Sequence, residues 1–145
     1  MRTPIKVLIV DNDDAFCQKT RASLENAGGI TVVGEATDGQ QAIIMIQETH
    51  PDVVLWDINL GRVAQIRALS PCTKLIVVHT RDQERLVLDA FKNGVLGHLI
   101  RCEIRPDGIV QAVRAVSRGE AVISSGIAGR ILDQVVQERK VFERR

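Results

Sequence analysis

Residues 51–60 read Pro51-Asp52-Val53-Val54-Leu55-Trp56-Asp57-Ile58-Asn59-Leu60, and their middle is a run of four apolar residues that ends on a carboxylate. A run this short, with Pro before it and Gly61 after the segment, predicts a strand buried on both faces. Strands of this kind belong to parallel sheets that helices cover on both sides. Asp57 therefore stands at the carboxyl end of a buried strand, where open α/β sheets bind their ligands.

The rest of the chain alternates between apolar runs and amphipathic segments. We predict further strands over residues 5–10, 30–36, 75–78 and 97–100, and helices over residues 15–27, 38–49, 62–69, 82–93 and 106–118. The apolar spacing predicts inward faces in the short third helix (Val63, Ile66, Leu69) and in the fourth (Leu86, Ala90, Phe91). Five strands alternating with five helices predict an α/β fold, a doubly wound parallel (βα)5 sheet in the order 2-1-3-4-5.

An extra helix is predicted beyond this core, from about Ile127 to Lys140, with Ser124 or Ser125 as its cap. Apolar residues recur every four positions along it, in two neighbouring rows. We divide the chain into a domain of residues 1–123 and a terminal segment of residues 124–145. The wide apolar face favours a linker or oligomerisation helix; packing back onto its own domain is the alternative.

Composition narrows the class of protein. The 145 residues are 45% hydrophobic with a net charge of +1, which fits one globular domain and gives no sign of binding to nucleic acid or a membrane. The start of the chain lacks the pattern of a signal peptide, so we expect a cytoplasmic location. Cys17, Cys72 and Cys102 are widely spaced and odd in number, which predicts reduced structural thiols.

Polar side chains follow four of the predicted strands: Asp11, Asp57, Thr80 and Arg101. In a sheet ordered 2-1-3-4-5 they converge on one edge. Two carboxylates there could hold Mg²⁺, which prefers oxygen ligands, and an arginine could neutralise an incoming phosphoryl group. A carboxylate can itself be the nucleophile and form an aspartyl phosphate. The Thr80 hydroxyl could then hydrogen-bond a phosphoryl oxygen.

Five segments carry a family resemblance. They are Val7-Leu8-Ile9-Val10-Asp11, Ala36-Thr37-Asp38-Gly39-Gln40-Gln41-Ala42, Pro51-Asp52-Val53-Val54-Leu55-Trp56-Asp57, Val77-Val78-His79-Thr80 and Gly94-Val95-Leu96-Gly97-His98-Leu99-Ile100-Arg101. In this order the chain resembles, over about residues 4–123, the receiver domain of two-component response regulators. Residues 112–121, and Ile123-Ser124 with the helix that follows, resemble the NarL/LuxR subfamily, which carries a C-terminal helix-turn-helix DNA-binding domain.

The resemblance implies a signalling role rather than an enzyme. Asp57 would accept a phosphoryl group from a histidine kinase and so switch a transcriptional output. Mg²⁺ would be held by Asp11, Asp57 and the backbone carbonyl of Asn59, with Asn12 at the second acidic position. Thr80 would be the switch hydroxyl and His98 would occupy the aromatic switch position. A homodimer is the expected assembly.

The chain departs from that pattern around the pocket. Asn12 replaces a charged metal ligand, so we expect weaker Mg²⁺ binding, and Arg101 replaces a lysine, whose ammonium is not equivalent to a guanidinium. Thr80 follows Asp57 by only 23 positions, which shortens the third helix. We expect His98 to be a solvent-facing or hydrogen-bonded strand residue, with a pH-sensitive contact as the alternative. These changes predict a weakened phosphoryl switch; the alternative is a pseudo-receiver that acts through phosphorylation-independent protein contacts.

Two further interpretations are disfavoured by particular residues. A flavodoxin-like phosphate site would need a Ser/Thr-rich loop after the first strand, but residues 11–14 are Asp-Asn-Asp-Asp. DNA binding by these 145 residues is not expected, because no helix-turn-helix pattern follows residue 123. If the protein continues past Arg145, a DNA-binding domain is the expected continuation; if not, it is a single-domain regulator. Self-association could use either the terminal helix or the fourth-helix/fifth-strand/fifth-helix surface.

Overall fold

Five parallel strands form one sheet in the order β2-β1-β3-β4-β5 in the computed structural model, which describes residues 3–143. The strands are Ile5–Val10 (β1), Ile30–Ala36 (β2), Val53–Asp57 (β3), Lys74–His79 (β4) and Gly97–Ile100 (β5). The helices are Asp14–Asn26 (α1), Gly39–Thr49 (α2), Val63–Leu69 (α3), Glu84–Lys92 (α4), Pro106–Ser117 (α5) and Ser125–Glu143 (α6). The predicted (βα)5 architecture, the strand order, the short third helix and the extra terminal helix are confirmed.

The central strand β3 is buried along its whole length. Its neighbours are β1 and β4, and Trp56 pairs with Val10 on one side and Val77 on the other. Every side chain of β3 is buried because successive residues point to opposite faces and both faces are covered by helices. The uninterrupted apolar run in the sequence is the consequence of this double covering.

The two faces of the sheet have separate cores. Trp56 belongs to the core under α2, α3 and α4, whereas its neighbour Leu55 belongs to the core under α1 and α5. Each fully buried Leu or Val side chain stabilises the fold by roughly 1.5–3 kcal/mol. The Trp56 indole donates a hydrogen bond to the carbonyl of Gly61 at 3.0 Å, which ties the loop after β3 to the core.

Local caps place the helices at the pocket edge of the sheet. Asp13 accepts a hydrogen bond from the Phe16 amide and begins α1, and Asp38 accepts one from the Gln41 amide at 2.8 Å and begins α2. Pro106 opens α5, where its missing N–H leaves no internal bond unmade. The two aspartate caps keep the loops after β1 and β2 short, so the polar side chains of these loops stay close to the sheet.

Two predicted core positions are wrong. Leu69 is 51% exposed, because α3 ends at this residue and only Ile66 reaches the core fully. Leu86 is 47% exposed and lies beside the buried stripe of α4. That stripe consists of Val87, Leu88 and Ala90.

The terminal helix α6 begins behind Ser124, whose hydroxyl accepts a hydrogen bond from the Ile127 amide at 3.3 Å. Ile127 is buried in the core under α4, and Arg130 pairs with Glu84 of α4 at 2.8 Å. The first half of α6 thus packs on its own domain, the arrangement we had set as the alternative. The apolar residues Leu132, Val135, Val136 and Val141 are exposed, so a role of α6 in self-association stays a prediction.

The division into residues 1–123 and 124–145 also remains a prediction, and residues 1–2 and 144–145 lie outside the described chain. Of the helices in the described part, none has both the length and the apolar character needed to span a bilayer.

Candidate functional site

Three of the four polar residues predicted to converge from the strand ends meet at the carboxyl edge of the sheet. Asp11 directly follows β1 and Asp57 ends the adjacent strand β3; the two carboxylates are 1% and 4% exposed. Arg101, which follows β5, reaches across the edge. Its Nη2 lies 2.7 Å from Asp11 Oδ2 and 3.8 Å from Asp57 Oδ1. A single guanidinium nitrogen therefore contacts both carboxylates.

The Asp57 carboxylate has two unequal oxygens. Its Oδ1 accepts hydrogen bonds from the Asn59 backbone amide at 3.0 Å and from Asn59 Nδ2 at 3.2 Å. Asn59 is exposed and lies in the short 3₁₀ turn that follows β3. This turn orients the carboxylate and leaves Oδ2 as the oxygen not engaged by Asn59.

Arg101 is held in place by more than its two buried partners. Its guanidinium lies over the ring of Phe16, 4.7 Å from the ring centroid, and Nη1 is 3.8 Å from Asp13 Oδ2. That distance is too long for a hydrogen bond. Nη1 is buried without a hydrogen-bond partner among the described residues. A buried unpaired donor is costly, and it is a ready contact for an added acceptor such as a phosphoryl oxygen.

Burial dominates the electrostatics of Asp11. It raises the pKa of the Asp11 carboxyl, and the hydrogen bond from Arg101 only partly opposes this rise. Beneath it, the Cys17 thiol donates a 3.5 Å hydrogen bond to the Asp11 carbonyl. Burial, with the nearby Asp11 charge, raises the pKa of Cys17 to about 11, so this thiol is structural.

The donor set suits Mg²⁺ in kind, because that ion is bound in proteins through one or two carboxylates and several waters. Asp11 and Asp57 supply the carboxylates, and the exposed Asn12 could add a neutral oxygen. Across residues 3–143, however, no group of three or more His, Cys, Asp and Glu side chains forms a metal-binding cluster. Arg101 also competes for the same carboxylate oxygens that a cation would use.

Thr80 follows β4 at the same edge, but its hydroxyl is directed elsewhere. It is exposed and donates to the Asp82 carboxylate, which lowers the pKa of Asp82. The Thr80 amide donates to Gln83 Oε1 at 2.9 Å, and Gln83 Nε2 donates to Asn59 Oδ1. The structure therefore links Thr80 to Asp57 through Gln83 and Asn59, rather than placing the hydroxyl against Asp57.

The predicted switch residue His98 is hydrogen-bonded and not solvent-facing. It is 6% exposed; its Nδ1 lies 2.9 Å from His79 Nε2, and its Nε2 accepts from the Ser124 amide at 2.9 Å. Burial, followed by the charge of His79, lowers the pKa of His98 to about 4. The Phe91 ring packs edge-on against it at 5.8 Å between centroids.

Three contributing residues were missed by the sequence analysis: Phe16, His79 and Gln83. Phe16 lies under Arg101, and an apolar residue in α1 carries no sequence signal for such a contact. Gln83 stands three positions after Thr80, the spacing of a capping box, so its role had a readable signal. His79 had none, because its partner is set by the pairing of β4 with β5.

The chain is similar to one protein family and to several known proteins. The family model of the response regulator receiver domain matches residues 7–114. The transcriptional regulatory protein YxjL of Bacillus subtilis is 29% identical over 94% of this chain, which spans only 65% of YxjL. A LuxR-family two-component response regulator from Aurantimonas sp. superposes with a TM-score of 0.79 at 26% identity, covering 92% of this chain and 99% of that one.

A third relative is a receiver domain alone. The signal receiver domain of a NarL response regulator from Mycobacterium tuberculosis has a TM-score of 0.76 and 26% identity, and covers 82% of this chain and 100% of that one. The predicted resemblance to NarL/LuxR-type receivers is thereby confirmed, and these relatives are regulators rather than enzymes. The family match covers well over half of the sequence, and the chain belongs to the response regulator receiver domain family.

Proposed function

We propose that Asp57 is the phospho-acceptor of a two-component signalling step, with a histidine kinase as the donor. One observation carries this proposal: a buried carboxylate at the end of β3 lies within 3.8 Å of a cation that also binds the buried Asp11. Such a position offers a nucleophile together with a charge that can neutralise a phosphoryl group.

The step needs one free carboxylate oxygen. Asn59 engages Oδ1, so we assign the attack on phosphorus to Oδ2. The new P–O bond forms as the P–N bond to the kinase histidine breaks, and the imidazole leaves with its electron pair. Arg101 would then move from Asp11 toward the phosphoryl oxygens, where Nη1, now unpaired, gains an acceptor.

Mg²⁺ is the cofactor we propose for this step. Asp11, Asp57, the Asn59 carbonyl and Asn12 would hold it, and it would supply charge for the in-line transfer. Because Arg101 already binds Asp11, we expect the affinity for Mg²⁺ to be low. Thr80 would release Asp82 and turn its hydroxyl to the phosphoryl group, which would bias the α4 side of the domain.

A pseudo-receiver is the second candidate, and a specific observation favours it. The Arg101–Asp11 ion pair already gives the buried Asp11 carboxylate a cationic partner without a metal or a phosphoryl group. In that case signalling would rest on constitutive protein contacts that do not depend on phosphorylation.

The partners and the transcriptional output of this domain are proposed from its relatives. YxjL is named a transcriptional regulatory protein, and the chain spans 65% of its length. We propose that DNA is contacted by a helix-turn-helix domain that these 145 residues do not contain, and that the domain works as a cytoplasmic homodimer. Sedimentation of residues 1–123 beside the full chain assigns the dimer face: loss of the dimer on truncation points to α6, and its retention points to the α4–β5–α5 surface.

Trp56 fluorescence tests whether the pocket works. The indole is bonded to Gly61, in the loop that carries Asn59, so movement of this loop changes its surroundings. The phosphoryl-switch proposal predicts a saturable change with millimolar Mg²⁺ and a second change on adding beryllofluoride. A folded protein that responds to neither supports the pseudo-receiver instead.

A further inference from the structure

Two buried histidines bridge the end of β4 and the start of α6. His79 Nδ1 lies 2.7 Å from the Thr80 carbonyl, and His79 Nε2 lies 2.9 Å from His98 Nδ1. His98 Nε2 in turn accepts the Ser124 amide proton at 2.9 Å. Ser124 is brought to this place because Val122 makes a parallel bridge to Gly97 at the edge of β5.

The two ends of this chain of bonds fix the protons between them. A carbonyl only accepts, so His79 Nδ1 carries the proton and His79 Nε2 is the acceptor. His98 Nδ1 must then be the donor, which leaves His98 Nε2 free to accept from Ser124. Both rings are neutral, both are protonated at Nδ1, and every link has one donor and one acceptor.

The same series of hydrogen bonds continues to Asp57, the proposed phospho-acceptor. Asp57 can only accept, so Asn59 donates through Nδ2 and presents Oδ1 to Gln83 Nε2. Gln83 Oε1 then accepts the Thr80 amide proton. The bonds that Gln83 makes in this outer half are exposed to water and individually weak. The bond between His79 and His98 is buried and is stronger for that reason.

The Ser124 end of this series of hydrogen bonds matters because Ser124 is the cap of α6. Its carbonyl accepts the Ala128 amide at 2.9 Å and its hydroxyl accepts the Ile127 amide. Beyond this first turn α6 is held to α4 by Ile131, which packs against the core, and by two ion pairs, Arg130 with Glu84 at 2.8 Å and Lys92 with Glu138 at 3.9 Å. The position of the first turn of α6 therefore depends on where Ser124 is held.

We propose that His79 and His98 are a hydrogen-bond relay that couples the loop after β4 to the N-terminus of α6. A change of the Thr80 backbone alters the His79 link, and through His98 it alters the hold on Ser124. Loosening that hold loosens the first turn of α6. That the phosphoryl site drives this change rests on the proposed function; the coupling itself does not, and it is a positioning role rather than a catalytic one.

The first test reads the protons directly. Imidazole ¹⁵N shifts of the full chain at pH 7 are expected to show His79 and His98 neutral and protonated at Nδ1. A proton on Nε2 of either ring, or a charged ring, breaks the donor order and overturns the relay.

The second test breaks the relay at the end far from α6. In His79→Asn the amide nitrogen takes the place of Nδ1 and keeps the Thr80 link, but the shorter side chain cannot reach His98. We expect amide exchange at Ser124, Ile127 and Ala128 to quicken about fivefold, the effect of one lost hydrogen bond. His50→Asn is the matched control, because His50 lies outside the relay and has a left-handed backbone that Asn tolerates.

Two further arms separate coupling from simple loosening of the helix. Ser124→Ala removes the hydroxyl cap but keeps the Ser124 amide, so it should speed exchange in α6 and leave the histidine ¹⁵N shifts unchanged. Unchanged α6 exchange in His79→Asn, in a folded protein, overturns the relay. Beryllofluoride, followed by Trp56 fluorescence, is added last: failure to bind contradicts the proposed function alone, whereas binding that changes α6 exchange equally in wild type and His79→Asn contradicts the relay.

Discussion

Arg101 donates to Asp11 at 2.7 Å, and this ion pair joins two residues that are 90 positions apart in the sequence. Asp11 is almost fully buried, so removal of its partner would leave a charge without compensation. The pair therefore stabilises the pocket without a second cation. Any further cation has to compete with Arg101 for the Asp11 carboxylate.

Arg101→Gln is expected to raise the affinity for Mg²⁺ about tenfold, because the cation no longer displaces a charge-assisted hydrogen bond from Asp11. A Trp56 fluorescence titration with Mg²⁺ measures this directly. Arg118→Gln, which removes an exposed arginine paired with Glu120, is the control and should leave the titration unchanged. Equal affinity in the Arg101 variant would mean that the ion pair does not compete with the metal.

The stability of the fold should decrease in mild acid. The pKa of His98 is about 4 in the folded chain against 6.5 for an unperturbed histidine, so between these values the unfolded chain takes up a proton that the folded chain does not. The contribution is complete above pH 6.5 and is lost as the pH falls toward 4, with a slope of at most about 1.4 kcal/mol per pH unit for one group.

Urea unfolding across that pH range checks this sign. His98→Phe keeps an aromatic ring at the site but removes one of two buried histidines whose pKa is lowered, so its free energy of unfolding should vary less with pH than that of the wild type. The slopes are compared, rather than the values at one pH, because the variant also loses two hydrogen bonds. The raised pKa of Asp11 acts in the opposite direction in both proteins and cancels in the difference.

The three cysteines should differ in reactivity. Cys72 and Cys102 are exposed, whereas Cys17 is buried and the pKa of its thiol is raised to about 11. An alkylating reagent at pH 8 should add two groups to the native chain and three to the unfolded chain, as read by intact mass. Fast modification of Cys17 in the native chain would show that the packing around Cys17, next to Asp11, opens readily.

Two leucines test the packing assigned to the sheet and to α6. Leu75→Ala empties a fully buried site in β4 and should lower the free energy of unfolding by about 2–5 kcal/mol. Leu132→Ala, at a position 65% exposed on α6, should change the free energy of unfolding by no more than about 0.5 kcal/mol if the protein is monomeric. A large loss at Leu132 would indicate that this face is covered in solution.

The sequence predicted the strands better than it predicted the helix faces or the site. The continuous apolar run from Val53 to Trp56 set the bounds of β3 correctly, since a strand covered on both sides is apolar along most of its length. Leu86 was assigned to the wrong face because its neighbours Val87 and Leu88 are also apolar, and apolar spacing alone does not choose between adjacent positions.

At the site, strand order alone brought Asp11, Asp57 and Arg101 together. The orientation of the Thr80 hydroxyl and the bond between His79 and His98 could not be predicted. Both depend on side-chain choices made across strand pairs: Val77 pairs with His98, and His79 with Ile100, so the two rings meet only diagonally. Such contacts follow from the register, which the spacing of apolar residues does not fix to the residue.

Labelling with acetyl phosphate tests the central claim most directly. The full chain is incubated with acetyl phosphate with and without Mg²⁺, and intact mass and peptide mapping follow the product, with Asp57→Asn as the control. We predict the gain of a single phosphoryl group on Asp57 that depends on Mg²⁺ and is lost in the variant. A folded chain that gains no phosphoryl group, or gains it equally in Asp57→Asn, would contradict the assignment of Asp57 as the acceptor.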